Sequence, residues 1–216
     1  MKHVGLGIVG GVFLAVTALR SSPLEAAESA ASPQVASAEQ KVEEGNLSGA
    51  LASLLAVEPR ISNASTGMGP QKDLALRVAA RIIARADKPP FVGFPSEEEQ
   101  TKWAYLQVRK QKEAGPTPSL LTDFGEIAAR IPTERGDALK TLEDLEAQGT
   151  MGSSFGYATL ARLRDEVGHE TAGVAGAPLR ALAAGKRQVA LARCHKTAKV
   201  ATTCDKGLIT VTAPKG

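Results

Sequence analysis

Aromatic side chains are scarce. Phe, Tyr and Trp together make up 4% of the 216 residues, against 43% for all hydrophobic types. The interior must therefore be filled by Ala, Leu, Val and Ile. Alanine and leucine are strong helix formers, so this shortage tilts the chain towards an all-α body. Cysteine is scarcer still, with only Cys194 and Cys204. Zinc sites usually present ligands in closely spaced pairs. Cys194-His195 has no matching pair beside Cys204, and His169 lies far off in sequence. The C-x-x-C-H of covalent haem attachment is missing too, as is any glycine-rich phosphate loop. No cofactor is implied.

Long apolar runs are limited to one. Residues 4–19 read VGLGIVGGVFLAVTAL, behind Lys2 and ahead of Arg20. A positive start, an apolar middle and small polar residues afterwards form the layout of a secretory signal. Sixteen helical residues span about 24 Å, short of the roughly 30 Å hydrocarbon core of a bilayer. Gly5, Gly7, Gly10 and Gly11 weaken the run further as a permanent span. Length thus favours a cleaved signal over residues 1–26. The alternative is an uncleaved anchor in which Gly7, Gly11 and Ala15 form a small-residue face suited to oligomerisation. Both readings export the rest of the chain, to the periplasm or to the periplasmic side of an inner membrane. No cysteine follows the run, so a lipid-modified N-terminus is not supported. In an exported chain the default for Cys194 and Cys204 is one disulfide. It would close a loop of about ten residues and contribute about 2–3 kcal/mol in the chain-entropy description.

Residues 27–33 read as a flexible leader, and residues 34–172 as a helical body. Apolar spacing predicts helices over 34–44, 47–57, 73–86, 96–114, 119–131, 133–148 and 154–167. Asn46 suits an N-cap, Ser96 with Glu99 forms a capping box, and Pro132 and Gly149 act as stops. On 73–86, Leu74, Val78 and Ile82 face inwards, while Arg77, Arg81 and Arg85 read as a solvated basic stripe. The acid pairs Glu43-Glu44 and Glu143-Asp144, and the run Glu97 to Glu99, likewise read as solvated faces. Residues 89–95 form a stiff connector carrying Phe91 and Phe94. With Trp103 on the following helix, these are candidate partner-binding residues.

The run AEQKVEEGNLSGALASLLAVEP, residues 38–59, resembles one unit of the tetratricopeptide family. A helix ends at Gly45-Asn46, a second begins shortly before the small-apolar pair Ala50-Leu51, and Pro59 follows. The resemblance implies stacked antiparallel helical hairpins and protein binding. The large residues of that family's first helix are absent. Stepping on by the family's repeat of about 34 residues from Gly45 reaches Ala79, inside the next helix. Gly136-Asp137 echoes the turn further along.

Residues 173–216 change character. From residue 180 onwards there are eight Lys and Arg against one acid, Asp205, so the local balance is 8 − 1 = +7 and the remainder is 3 − 7 = −4. Pro178 suits the start of a short helix to Ala184. After Gly185 the pattern turns β-like, at Val189 and Leu191, then 199–203 and 208–212. The fold expected is therefore mainly α, with a small, basic, disulfide-closed C-terminal β element. Lys186, Arg187, Arg193, Lys196 and Lys199 point to an anionic partner, either an acidic protein or an anionic membrane surface. Nucleic acid is disfavoured, because no aromatics stand among these cations to stack on bases.

Gly152-Ser153-Ser154-Phe155-Gly156 matches G-x-S-x-G, the nucleophile elbow of hydrolases. That chemistry needs a buried strand, a tight turn and a helix. The preceding LEDLEAQGTM is a charged helix end, so Ser153 or Ser154 reads more simply as an N-cap. The expected function is a non-enzymatic adaptor or accessory subunit of a bacterial envelope assembly, binding another envelope protein through a helical array. The alternatives are an envelope serine hydrolase centred on Ser154 and a module that binds anionic surfaces through the basic C-terminus.

Overall fold

The computed structural model describes residues 33–61, 70–170, 177–198 and 204. The apolar run at 4–19, most of the leader, Lys199 and the strands expected at 199–203 and 208–212 lie outside these residues. The described residues are all-α: α1 Pro33–Glu43, α2 Leu47–Leu55, α3 Pro70–Arg85, α4 Glu97–Ala114, α5 Pro118–Ala128, α6 Arg135–Gln148, α7 Ser154–Glu170 and α8 Ala177–Thr197, with a 3-10 turn at Pro132–Glu134.

Local chemistry sets most of the boundaries. Asn46 accepts a hydrogen bond from the Gly49 amide at 3.0 Å, and Gly45 takes φ 79° in the turn before it. Ser96 accepts from the Glu99 amide, and Thr117 caps α5 with Pro118 at its first position. Gly149 ends α6 in the left-handed conformation, φ 68°. α3 begins at Pro70, ahead of the expected Asp73, because a proline's missing amide costs nothing in a first turn. The helix expected over 133–148 is preceded by the 3-10 turn, so α6 proper starts at Arg135.

The C-terminal element is helical where it is described, which corrects two expectations. α8 runs through Gly185 to Thr197, so the short helix does not stop at Ala184 and no strand forms at Val189 and Leu191. In a strand those two side chains would share a face. Here Val189 is 51% exposed while Leu191 is buried beside Ala190 and Cys194, a helical spacing. An alanine-rich stretch carries this helix past the glycine, whose surroundings are open.

Packing follows a regular scheme. Sequential helices pair as α1 with α2, α3 with α4, α5 with α6 and α7 with α8. Each odd helix also packs against the next odd one, α1 on α3, α3 on α5 and α5 on α7, and each even helix against the odd helix that follows. The core is aliphatic, as the composition requires: Leu54, Leu76, Ile82, Ile127, Leu142, Leu160 and Leu163 are all fully buried. Each such side chain contributes about 1.5–3 kcal/mol by leaving water. Cys194 and Cys204 form a disulfide with a Cα–Cα distance of 5.9 Å. Both are fully buried against Tyr157 and Ala158 of α7.

Candidate functional site

The odd helices are joined by charge as well as by packing. Arg77, Arg81 and Arg85 lie one turn apart on α3, between acids at matching spacing on α1 and α5. Arg77 donates to Asp123 at 2.9 Å and to Ser119 at 2.8 Å. Arg81 grips both oxygens of Asp123, at 2.6 and 3.1 Å, and reaches Glu39 at 3.0 Å. Arg85 grips Glu126 at 2.7 and 3.0 Å and also touches Glu43 and the Val42 carbonyl, each at 3.2 Å. The Arg81 and Arg85 side chains are only 4% and 2% exposed. The solvated stripe expected of these arginines is therefore a buried ladder, as are its acids Asp123 and Glu126. Burial alone would pull the guanidinium pKa values down. The attraction of Asp123 for Arg81, and of Glu126 for Arg85, outweighs it, so both lie above the ordinary arginine value. Three arginines against Glu39, Glu43, Asp123 and Glu126 give 3 − 4 = −1, a nearly neutral ladder.

The G-x-S-x-G run sits at the end of this ladder and is used for packing. The Ser153 hydroxyl donates to Glu126 at 2.6 Å and accepts from the Gly156 amide at 3.1 Å, which caps α7. The N-cap reading of the sequence thus holds for Ser153. Gly152 and Gly156 let α7 approach α5 closely. A Cβ on Gly152 would lie 2.9 Å from the Ser119 Cα, and one on Gly156 would lie 2.7 Å from Thr122 Cγ2. The Ser154 carbonyl lies 3.0 Å from the Cys194 sulfur, a packing contact, since a disulfide sulfur has no proton to donate.

Above the inner rung opens a cleft of about 1100 Å³. One wall is α4, with Glu98, Thr101, Lys102, Tyr105 and Leu106. The other is α7, with Phe155, Ala158, Thr159 and Arg162, and the floor is the connection from Ala129 to Arg135. Fixed contacts hold the floor in place. Arg130 donates to the carbonyls of Ile83, Ala84 and Ala86, closing the C-terminus of α3, and pairs with Glu97 at 2.9 Å. Tyr105 donates to Glu134 at 2.7 Å. Burial in the first place, and then the bond to Glu134, raise the Tyr105 phenol pKa above its ordinary value. Arg162 pairs with Glu166 at 2.9 Å, and Arg85 stacks 4.0 Å over the Phe155 ring at the inner end. Five cations line the cleft (Arg85, Lys102, Arg130, Arg135, Arg162) and so do five acids (Asp87, Glu97, Glu98, Glu126, Glu134), a balance of 5 − 5 = 0. Leu106 stands in the wall 42% exposed. An electroneutral, partly apolar cleft of this volume stands at the upper end of the range of small-molecule pockets.

No family model, characterised protein or solved structure matches this chain.

The residues singled out in the sequence fall elsewhere. Phe91 is buried in the core, with its carbonyl accepting from Gln100 at 2.9 Å. Phe94 meets Trp103 edge to face at 5.4 Å, both partly buried. Lys186, Arg187 and Arg193 lie on α8, within 3.7, 3.3 and 3.4 Å of Glu143, Asp165 and Glu146. Lys196 is exposed near the end of α8. Tyr105, Leu106, Arg130, Phe155 and Arg162 carry no local signal of a shared site in the sequence, since they converge only through the packing of α4 against α5 and α5 against α7.

Proposed function

We propose that this protein is an exported, non-enzymatic adaptor of a bacterial envelope assembly that holds a segment of a partner protein in the cleft between α4 and α7. The observation that carries this reading is the cleft itself, with Leu106 left exposed in a wall that no other described element covers. The packing scheme supports it. Helices pair in sequence while odd helices stack on odd helices, the arrangement by which tetratricopeptide-like arrays of antiparallel hairpins build elongated binding surfaces. Export is supported by the apolar run at residues 4–19 and by the Cys194–Cys204 disulfide, a bond that persists in oxidising compartments.

The reading is tested by blocking the cleft. Leu106→Lys and Thr159→Arg each place a long cation in a wall without touching the core. Both are expected to abolish co-purification of the partner while leaving the melting temperature within a few degrees of wild type. Undiminished co-purification from the double variant would rule out the cleft as the binding site.

A further inference from the structure

We infer that the outer face of α8 is a second docking surface, separate from the cleft, which seats the protein on an anionic lipid bilayer. α8 contains no Asp or Glu in its 21 residues. Its buried side is Ala190, Leu191 and Cys194, packed on α7. On the side turned away from Leu191, Leu182, Lys186, Val189, Arg193 and Lys196 follow one another at i, i+4, i+7, i+11 and i+14. At 3.6 residues per turn these five fall within an arc of about 80°. Leu182 is 57% exposed and Val189 51%, two of the five large hydrophobics left exposed among the described residues. Ala181, Gly185 and Ala192, all exposed, flank the stripe along its outer edge.

The charges on this face are in surplus. Glu143 and Glu146 lie beside it on α6, but Arg164 already holds both, at 3.1 and 2.6 Å. Lys186 and Arg193 share the same two carboxylates, and Arg187 pairs with Asp165. Counting Arg164, Lys186, Arg187, Arg193 and Lys196 against Glu143, Glu146 and Asp165 gives 5 − 3 = +2. This sign decides the occupant. A second copy would set the same cations against one another. A partner helix packed into the stripe would have to bury Lys186 and Arg193 beside Leu182 and Val189, at the desolvation cost of buried charge. The interfacial layer of a bilayer is the medium that takes both kinds of side chain from one stripe: leucine and valine enter the acyl boundary while lysine and arginine reach up to phosphate. No described helix is long and apolar enough to cross a membrane, so α8 lies on the surface.

The test is flotation of the full chain with vesicles of phosphatidylcholine alone and vesicles enriched in phosphatidylglycerol. Any binding through residues 4–19 is common to all variants, so the readout is the difference between them. Binding to the phosphatidylglycerol vesicles is expected to exceed binding to phosphatidylcholine and to weaken as salt rises. Lys186→Glu with Arg193→Glu and Lys196→Glu should weaken it at least about tenfold, and Leu182→Ser with Val189→Ser should weaken it without changing the far-ultraviolet circular dichroism. Val92→Ser, at an exposed apolar residue outside both α8 and the cleft, should bind vesicles as wild type does. Equal binding to both vesicle types, or binding untouched by the charge reversals, overturns the inference. Absence of vesicle binding overturns it too, including where an acidic protein binds α8 instead.

Discussion

Arg85 and Glu126, 41 residues apart in the chain, meet in a two-point ion pair at 2.7 and 3.0 Å, each side chain 2% exposed. The pair welds α3 to α5 beneath the cleft, and through Ser153 it also fixes the start of α7. Removing one partner leaves an unmatched charge in the interior. Glu126→Gln is therefore expected to cost about 3 kcal/mol in chemical denaturation, since Glu43 still touches Arg85. Arg85→Met together with Glu126→Leu should cost less than Glu126→Gln alone. The exposed Arg109–Glu113 pair, 53% and 62% exposed, is the control, and breaking it should leave the denaturation midpoint unchanged.

Tyr105 supplies a pH signature for the cleft wall. Burial and the bond to Glu134 favour the neutral phenol in the folded state. This contribution to stability is complete below the ordinary phenol pKa of about 10 and is lost as pH rises through the higher folded value. The urea midpoint should fall with rising alkalinity in wild type and fall less steeply in Tyr105→Phe. A tyrosinate absorbance titration should show a late-ionising phenol that disappears in the variant.

The disulfide ties Cys204 to α8 across ten positions of sequence. Cys194→Ala with Cys204→Ala should lose about 2–3 kcal/mol. Reductant should lower the melting temperature of wild type and leave the double variant unchanged. Alkylation of denatured, unreduced protein should modify neither sulfur. Two modified thiols in exported material would contradict the pairing.

The helical character of the body and most of its helix boundaries are legible in the sequence, because Asn46, Ser96 and Gly149 each act through bonds to their immediate neighbours. The arginine ladder was not. On α3 alone, Arg77, Arg81 and Arg85 look like a solvated face, since nothing local says what they oppose. The available signal was Asp123 and Glu126 set inside the apolar run LLTDFGEIAA of α5, where two unpaired acids would be costly. α8 misled for a different reason. Val189 and Leu191 alternate as a strand would, and only the burial of Ala190 and Cys194 on α7 reveals the helical period. The cleft could not be read from the sequence, because its walls come from helices whose residues meet only after α5 has packed between them.

The claim that a partner segment occupies the cleft is tested most directly by photo-cross-linking in intact cells. A photoreactive residue replaces Leu106 in the cleft or, as a control, Lys140 on the exposed side of α6. One discrete adduct is expected from position 106, lost when Thr159→Arg is added, and none from position 140. No adduct from position 106, or adducts of equal yield from both positions, would contradict it.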